Sequence, residues 1–388
     1  MHSVTGKPEI LAEINKKLIL DYLRKCGPQS RAELSRNLGL SFPSVSANVE
    51  CLLANDLIRV VEGNTGEDVS AGRKPVLFRY NSEWGYVVSI DLGRSRLRMM
   101  VCNVGGGEEA KVSFPLDQLH DDRILEEIDG HFTRLLEQTG IPLEKVHCVS
   151  VAMPGIPDER TGRLESSPFL SETLRSHRID TFLAQKYGLR TCIGNAVNFA
   201  AIAEKWQGAG VEYSDIVYVD CAVGIGSALI LDGKLITGFN GAAGEIGYMI
   251  PGIAFCRKTY DEEGVLEKLL AGCEVERRLA MLSQGADGDE GAFSGQRQRK
   301  LYMDDIRNYL AMTLVNLVAV INPQVIIVGG GLGRFLMKTE KAFFEEFLRA
   351  HVPYVPKLEN STLDENASLL GAAAYALRLV HDKQPRMH

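Results

Sequence analysis

The stretch from Val217 to Tyr248 reads VYVDCAVGIGSALILDGKLITGFNGAAGEIGY, and it restricts what this chain folds into more than any other. Val217–Val219 predicts a strand entering a glycine turn at Gly224-Ile225-Gly226, and Ala228–Leu231 a strand leaving it. Asp232-Gly233 is the two-residue signature of a tight hairpin, so Lys234–Thr237 returns as a third strand. That strand runs into Gly238–Gly247, where glycines and alanines leave room for a ligand to approach the backbone. One carboxylate, Glu245, stands in the middle of it.

The first 80 residues follow another pattern. Ile14, Leu18, Ile19, Tyr22 and Leu23 recur at helical spacing, and Gly27-Pro28 stops the run. Ser30 with Glu33 three residues on is a capping box, opening a helix that ends at Gly39. Ser41 caps the next helix, from Phe42 to about Ala54, with Pro43 tolerated in its first turn. Two helices joined by Leu38-Gly39-Leu40 make a helix-turn-helix. Strands at Leu57–Glu62 and Pro75–Tyr80 around a polar loop complete a winged version of it. The second helix offers Ser44, Ser46 and Asn48 to base edges in a major groove, above a buried stripe of Val45, Val49, Leu52 and Leu53. Arg73 and Lys74 form a basic turn on the wing.

Beyond residue 80 strands and helices alternate. Tyr86–Asp91 is a strand ending in an acid, followed by Gly93-Arg94-Ser95 and a return strand at Leu97–Asn103. His120–Glu137 has an amphipathic helical pattern, and Val146–Ala152 is a buried strand leading to Met153-Pro154-Gly155-Ile156. Ile179–Gly188 predicts a helix and Arg190–Ile193 a strand, which delivers Gly194-Asn195-Ala196-Val197-Asn198. Residues 284–299, rich in Gly, Gln, Asp and Arg, predict a mobile surface connection. Asp304–Ile321 then reads as a long buried helix, Gln324–Val328 as a strand, and Gly329–Gly333 as a strand-to-helix turn. Leu369–Ala374 begins a last helix whose small residues permit close packing.

These motifs together resemble the ROK family of repressors, open reading frames and sugar kinases. Gly238–Gly247 matches the family's Gly-x-x-Gly-x-Ala-Gly-Glu-x-Gly-His run, which lines the sugar pocket, with Tyr248 in place of the histidine. The resemblance covers essentially the whole chain. It implies an α/β architecture in which the winged helix-turn-helix, residues 1–80, precedes a two-lobed actin-like or hexokinase-like (ribonuclease H-like) ATPase fold, residues 81–388. The first lobe is expected at about 81–195 plus the C-terminal helix 369–388, and the second at about 196–368. The resemblance also places a sugar ligand against Asn195, Glu245, Tyr248 and Glu267. Gly72-Arg73-Lys74-Pro75 stands where family repressors carry a Gly-Arg-Pro element beside the helix, an arginine placed to enter a minor groove.

Set against the family's kinases, the chain departs at three places. The phosphate loop Asp-x-Gly-Gly-Thr becomes Asp91-Leu92-Gly93-Arg94-Ser95, and a long side chain at Arg94 obstructs close approach of backbone N–H groups to phosphate. Ala196 replaces the general-base aspartate of Asn-Asp-x-Asn, and a methyl group accepts no proton. Val223 replaces the threonine of the second loop, Gly-Thr-Gly-x-Gly. The family's zinc staple is reduced to Cys256 and the Gly264–Glu267 remnant, too few ligands for tetrahedral zinc. No catalytic residue, no metal and no cofactor is therefore expected.

Charge decides where a nucleic acid would bind. Residues 1–79 carry 11 Lys+Arg against 9 Asp+Glu, leaving 32 against 41 for the remainder, so the acidic body offers no general attraction to DNA. The slight basic excess calls for a homodimer or dimer of dimers to multiply the contacts to operator DNA. The eight cysteines lack paired spacing, no apolar run spans a bilayer and the N-terminus lacks a signal-peptide core, which together fit a cytoplasmic protein without membrane contact. Three readings compete: a repressor of carbohydrate genes with a sugar-sensing body, an ATP-dependent sugar kinase with an appended DNA-binding domain, and a regulator whose body is only a dimerisation scaffold.

Overall fold

The computed structural model describes residues 8–61, 75–93, 96–116, 123–157, 164–166, 178–256, 264–284 and 289–382. At the N-terminus, α1 (Pro8–Cys26), β1 (Gln29–Ser30), α2 (Arg31–Leu38), α3 (Phe42–Ala54), β2 (Ile58–Val60) and β3 (Leu77–Tyr80) form one unit, its antiparallel strands ordered β1-β3-β2. Local chemistry sets its helix ends. Ser30 Oγ accepts from the Glu33 N–H at 3.3 Å while the Ser30 N–H donates to Glu33 Oε2 at 2.8 Å, the reciprocal pair of a capping box. Gly39 closes α2 at φ 66°, and Ser41 Oγ accepts from the Ser44 N–H to open α3. Ile19, Leu23, Leu34, Val49 and Leu52 from the helices meet Phe78 from the sheet in one core.

The body is built twice on one plan. Its first half contains β4 (Tyr86–Leu92), β5 (Arg96–Asn103), β6 (Glu108–Pro115), α4 (Ile124–Thr139), β7 (Val146–Met153), a small ribbon of β8 (Ile156–Pro157) and β9 (Leu164–Ser166), α5 (Ile179–Tyr187) and β10 (Arg190–Asn195). Its sheet order is β10-β7-β4-β5-β6. The second half runs α6 (Ala196–Gln207), β11 (Ile216–Cys221), β12 (Ile225–Leu231), β13 (Lys234–Ile236), α7 (Val265–Leu270), α8 (Gly272–Gln284), α9 (Asp289–Ile321), β14 (Val325–Gly329), α10 (Gly331–His351) and β15 (Lys357–Asn360). Its order, β13-β12-β11-β14-β15, is the same plan, an antiparallel meander followed by two strands parallel to the first. Asp232 and Gly233 take φ of 50° and 70°, which closes the β12–β13 hairpin. Parallel neighbours need long crossovers, and α4, α5, α9 and α10 lie in those connections.

A last helix, α11 (Ala367–Asp382), returns to the first half and packs on β4 and β7. With α6 it fills the space between the two sheets. Phe199 of α6 meets Ala152 of β7 and Ala372 of α11, while Ala200 and Ala201 face Tyr218 and Ala228 of the second sheet. Gly371 is required at the α6–α11 crossing, because a Cβ there would collide with the Phe199 carbonyl.

One sequence expectation is corrected, and one strand was not read from the sequence at all. Residues 289–299, read as part of a mobile connection, are the first turns of the 33-residue helix α9. The run contains no proline, and a helix already nucleated by its buried downstream turns propagates through glycine at modest cost. The edge strand β6 carried little apolar signal, since its outer positions are exposed. The eight cysteines are free thiols, and among the described residues no helix is long and apolar enough to cross a membrane.

A candidate ligand cleft between the two sheets

A cleft of about 380 Å³ opens where the ends of β4 and β11, the N-termini of α6, α10 and α11, and the loop before Tyr248 converge. Asn195, Ala196, Glu245, Tyr248 and Glu267 all line it. The sequence placed these residues together by motif alone, and the fold brings them to one cavity.

Their individual tasks differ. Asn195 ends β10 and caps α6: its Oδ1 accepts from the Val197 and Asn198 N–H groups at 2.8 and 3.2 Å, and its Nδ2 donates to the Gly155 carbonyl at 2.8 Å. Most of its hydrogen-bonding capacity is thus spent on the scaffold. Ala196 is the first residue of α6, so its methyl faces the cleft at a helix N-terminus. Glu245 is half-buried, and burial raises its carboxyl above the usual range. The loop carrying it is pinned to β12, because the N–H and hydroxyl of Ser227 both donate to the Gly244 carbonyl, at 2.9 and 2.8 Å. Gly244 itself, at φ 89°, lies too close to the Ser227 carbonyl for any side chain. Glu267, in the first turn of α7, accepts the Ile225 N–H on Oε2 at 3.0 Å and so holds the glycine turn of β12. Tyr248 stands at the rim, 37% exposed.

Sequence reading took Asp91 as the acid that ends a strand before a phosphate loop, gave it no partner, and overlooked Asp220 and its neighbours. Asp91, 1% exposed, accepts from Arg98 Nε at 2.8 Å and from Nη2 of the same guanidinium. Burial pushes its carboxyl up, opposed by Arg98 and by the Ser368 hydroxyl. Asp220 accepts from the Tyr218 hydroxyl at 3.2 Å. Burial pushes it up to about 6, against the Tyr218 hydrogen bond and the charge of Arg334. An acid near the end of an apolar strand was the available signal, and it was the same signal at both positions.

Around the second glycine turn, Asp220 pairs across the strands with Gly226, and the Val223 side chain is exposed where the family's kinases carry a threonine. Arg94 and Ser95 lie outside the described residues. Of the zinc-staple positions, the described residues include a phenol at Tyr248 and the exposed Cys256, a set too small for tetrahedral zinc. Among the described residues no cluster of His, Cys, Asp and Glu is arranged to hold a metal.

In the N-terminal unit, Ser44 and Ser46 are partly exposed on α3. Asn48 corrects the expectation made for it, since it is 6% exposed and donates Nδ2 to the Ser44 carbonyl at 2.8 Å. It falls three residues after Val45 and four before Leu52, which turns it to the inward face of the helix. The outer face instead shows Phe42, Pro43, Ala47 and Glu50. Arg73 and Lys74 lie outside the described residues.

A five-stranded sheet repeated on one plan, with a cleft between the copies and a glycine turn in its wall, defines a two-lobed sugar-kinase-like fold. The chain belongs to the ROK family, whose profile matches residues 87–379. It is similar to the xylose repressor of Caldicellulosiruptor bescii, at 26% identity over 96% of this chain and 97% of that protein. It is also similar to the DNA-binding transcriptional dual regulator NagC of Escherichia coli K12, at 21% identity over 96% and 94%. Among solved structures it resembles a ROK family transcriptional regulator described as a homologue of the E. coli MLC protein, with TM-score 0.76, 20% identity, and coverage of 96% of this chain and 97% of that one. The ROK hexokinase of Thermus thermophilus resembles it with TM-score 0.63 and 26% identity, over 76% of this chain and 99% of that one.

Proposed function

We propose that the chain is a DNA-binding transcriptional repressor of carbohydrate genes whose sugar-kinase-like body binds a sugar or sugar-derived inducer without phosphorylating it. One observation carries this reading. The hexokinase match leaves about a quarter of the chain uncovered, whereas the repressors and the regulator match over 96% of it, including the N-terminal unit. That unit reads as a winged helix-turn-helix, with α2 and α3 as the helix pair and β2 and β3 flanking the wing.

The chemistry of the cleft supports the second half of the proposal. Phosphoryl transfer to a sugar hydroxyl needs a base within hydrogen-bond reach, and Ala196 supplies a methyl at that place. Glu245 keeps a half-buried carboxyl on the cleft wall, suited to a pair of vicinal hydroxyls. DNA contact is assigned to Ser44 and Ser46 on α3 and to Arg73 and Lys74 on the wing, with two copies of the chain reading two half-sites. The inducer acts by favouring one arrangement of those copies over another, since equal affinity for both shifts nothing.

The test uses the purified full chain. Selection from a random duplex library should enrich a two-fold-symmetric site, and thermal shift with a panel of pentoses, hexoses and their phosphates should identify a stabilising ligand that weakens binding to that site. Glu245→Ala should keep the DNA affinity and lose release by that ligand. Turnover of ATP with any sugar of the panel would sink the non-catalytic half of the proposal. A panel that moves neither melting temperature nor DNA affinity would leave the body as a dimerisation scaffold.

A further inference from the structure

The helix α11 touches the cleft at one end and the DNA-binding unit at the other. Its N-terminus follows β15 of the second sheet through a short turn at Asp364–Asn366, and Glu365, Ala367 and Ser368 line the cleft. There Ser368 hydrogen-bonds Asp91, and Arg98 donates to the Glu365 carbonyl. Its body packs on β4 and β7 of the first sheet and on α6. The 16 residues make a rod of about 24 Å.

At the far end, His381 is 7% exposed and lies against α1. Its Nε2 is 2.9 Å from the Val104 carbonyl and its Nδ1 meets Arg24 Nη1, so a neutral ring with the proton on Nε2 donates to the first and accepts from the second. Burial and the neighbouring Arg24 push the imidazole down to about 4, consistent with that neutral form. Arg24 is held from the other side by Asp21 at 3.1 Å, and the next residue of α11, Asp382, pairs with Lys17 at 3.3 Å. Tyr80 and Trp84, on the connection out of the DNA-binding unit, pack against the same end of α11, with Trp84 Nε1 donating to the Tyr80 hydroxyl at 2.9 Å.

We propose that α11 is the strut through which the state of the cleft reaches the DNA-binding unit, with His381 as the residue that positions α1 on it. The argument is topological. The helix is entered from the second sheet but packed on the first, so a change in the angle between the halves reaches its N-terminus as a displacement. The tight crossing at Gly371 over Phe199 leaves the rod to tilt as a unit, since close-packed elements shift between discrete arrangements more readily than they bend. His381 then carries that tilt to Arg24 on α1, and the solvent-exposed Asp382–Lys17 pair beside it adds little. The inference rests on the regulator reading for its biological meaning, and its physical content is tested without DNA or inducer.

The experiment is hydrogen–deuterium exchange of the full chain. Ser368→Trp, at the cleft end of the rod, should change the protection of α1 backbone amides by roughly fivefold or more, the lower end of ordinary coupling between sites. In a His381→Phe background the same substitution should leave α1 unchanged. Arg24→Met, which breaks the contact from the opposite side, should block transmission equally and serves if His381→Phe folds poorly. No effect of Ser368→Trp on α1, or the same effect with and without His381, overturns the proposal. Failure of the regulator reading shows elsewhere, as failure to enrich any duplex from the random library.

Discussion

Asp91 and Asp220 occupy the same place in the two halves of the body. Each is the penultimate residue of the first strand of its sheet, and each faces a parallel neighbour in register, Asp91 opposite Ala152 and Asp220 opposite Gly329. Their antiparallel partners differ. Asp91 lies opposite Arg98, which closes on it with a two-nitrogen grip, whereas Asp220 lies opposite Gly226 and takes one hydroxyl from Tyr218. One plan of strands therefore gives one acid a guanidinium partner and the other a single hydroxyl, while burial raises both carboxyls. The topology sets where a carboxylate sits, and a single cross-strand residue sets which partner it meets.

The comparison is broken most directly at Arg98. Arg98→Met strands a buried carboxylate and should cost about 3–5 kcal/mol of unfolding free energy in urea, while the double variant with Asp91→Asn recovers most of it. A single-variant loss below about 1 kcal/mol would mean that Asp91 is not dependent on that grip.

The opposite sign is expected at Asp220. Its carboxyl is raised to about 6 in the fold, above its ordinary value of 3.8, so the stability it contributes is fully present below pH 4 and lost as pH rises through 6. Asp220→Asn should therefore stabilise the protein at pH 8 by about 1–2 kcal/mol and by little at pH 4. Burial raises Asp91 and Glu245 in the same direction, so the measurement is the difference between variant and wild type across pH. A variant less stable than wild type at pH 8 would show that the ionised form is held by more than Tyr218 and Arg334.

A smaller effect belongs to Asn195, whose side chain caps α6. Asn195→Ala should lower stability by about 1 kcal/mol, the ordinary value of a helix cap. Asn195→Ser, which restores the acceptor, should return most of that loss in thermal melts. If the serine variant restores stability but not ligand-induced stabilisation, Asn195 also touches the ligand through its remaining donor.

The smallest response is expected where the family's chemistry would be rebuilt. Ala196→Asp, alone or with Val223→Thr, should give no sugar phosphorylation in a coupled assay, because Asp220 still faces the turn where phosphates would bind. Measurable turnover in the single variant would show that the missing base was the only obstacle, and turnover in the double variant alone that the base and the hydroxyl together were.

Much of this was legible in the chain. The capping box at Ser30 and Glu33, the Ser41 cap, the Asp232-Gly233 hairpin and the glycine loop carrying Glu245 are each settled by residues within about four positions of one another. The candidate residues Asn195, Glu245, Tyr248 and Glu267 were picked out by motif, and they line one cleft. Their tasks were not legible. Asn195 and Glu267 are engaged with backbone N–H groups, and which donors approach a side chain depends on elements far off in sequence. Asn48 was misplaced by its chemistry when its spacing already turned it inward.

What the sequence determined by itself is therefore the set of local elements, their order, and the residue types available at the strand ends. Turns, caps and strand alternation depend on hydrogen bonds and side-chain positions a few residues apart, which composition and spacing specify directly. Only the tertiary structure decided that Arg98 would grip Asp91 while Asp220 met the Tyr218 hydroxyl and the charge of Arg334, and that His381 would close on Arg24, 357 residues away. Those outcomes depend on register and on helix packing. A buried charge or polar group takes its energy from whichever partner the fold carries to within hydrogen-bonding distance, and no local pattern names that partner.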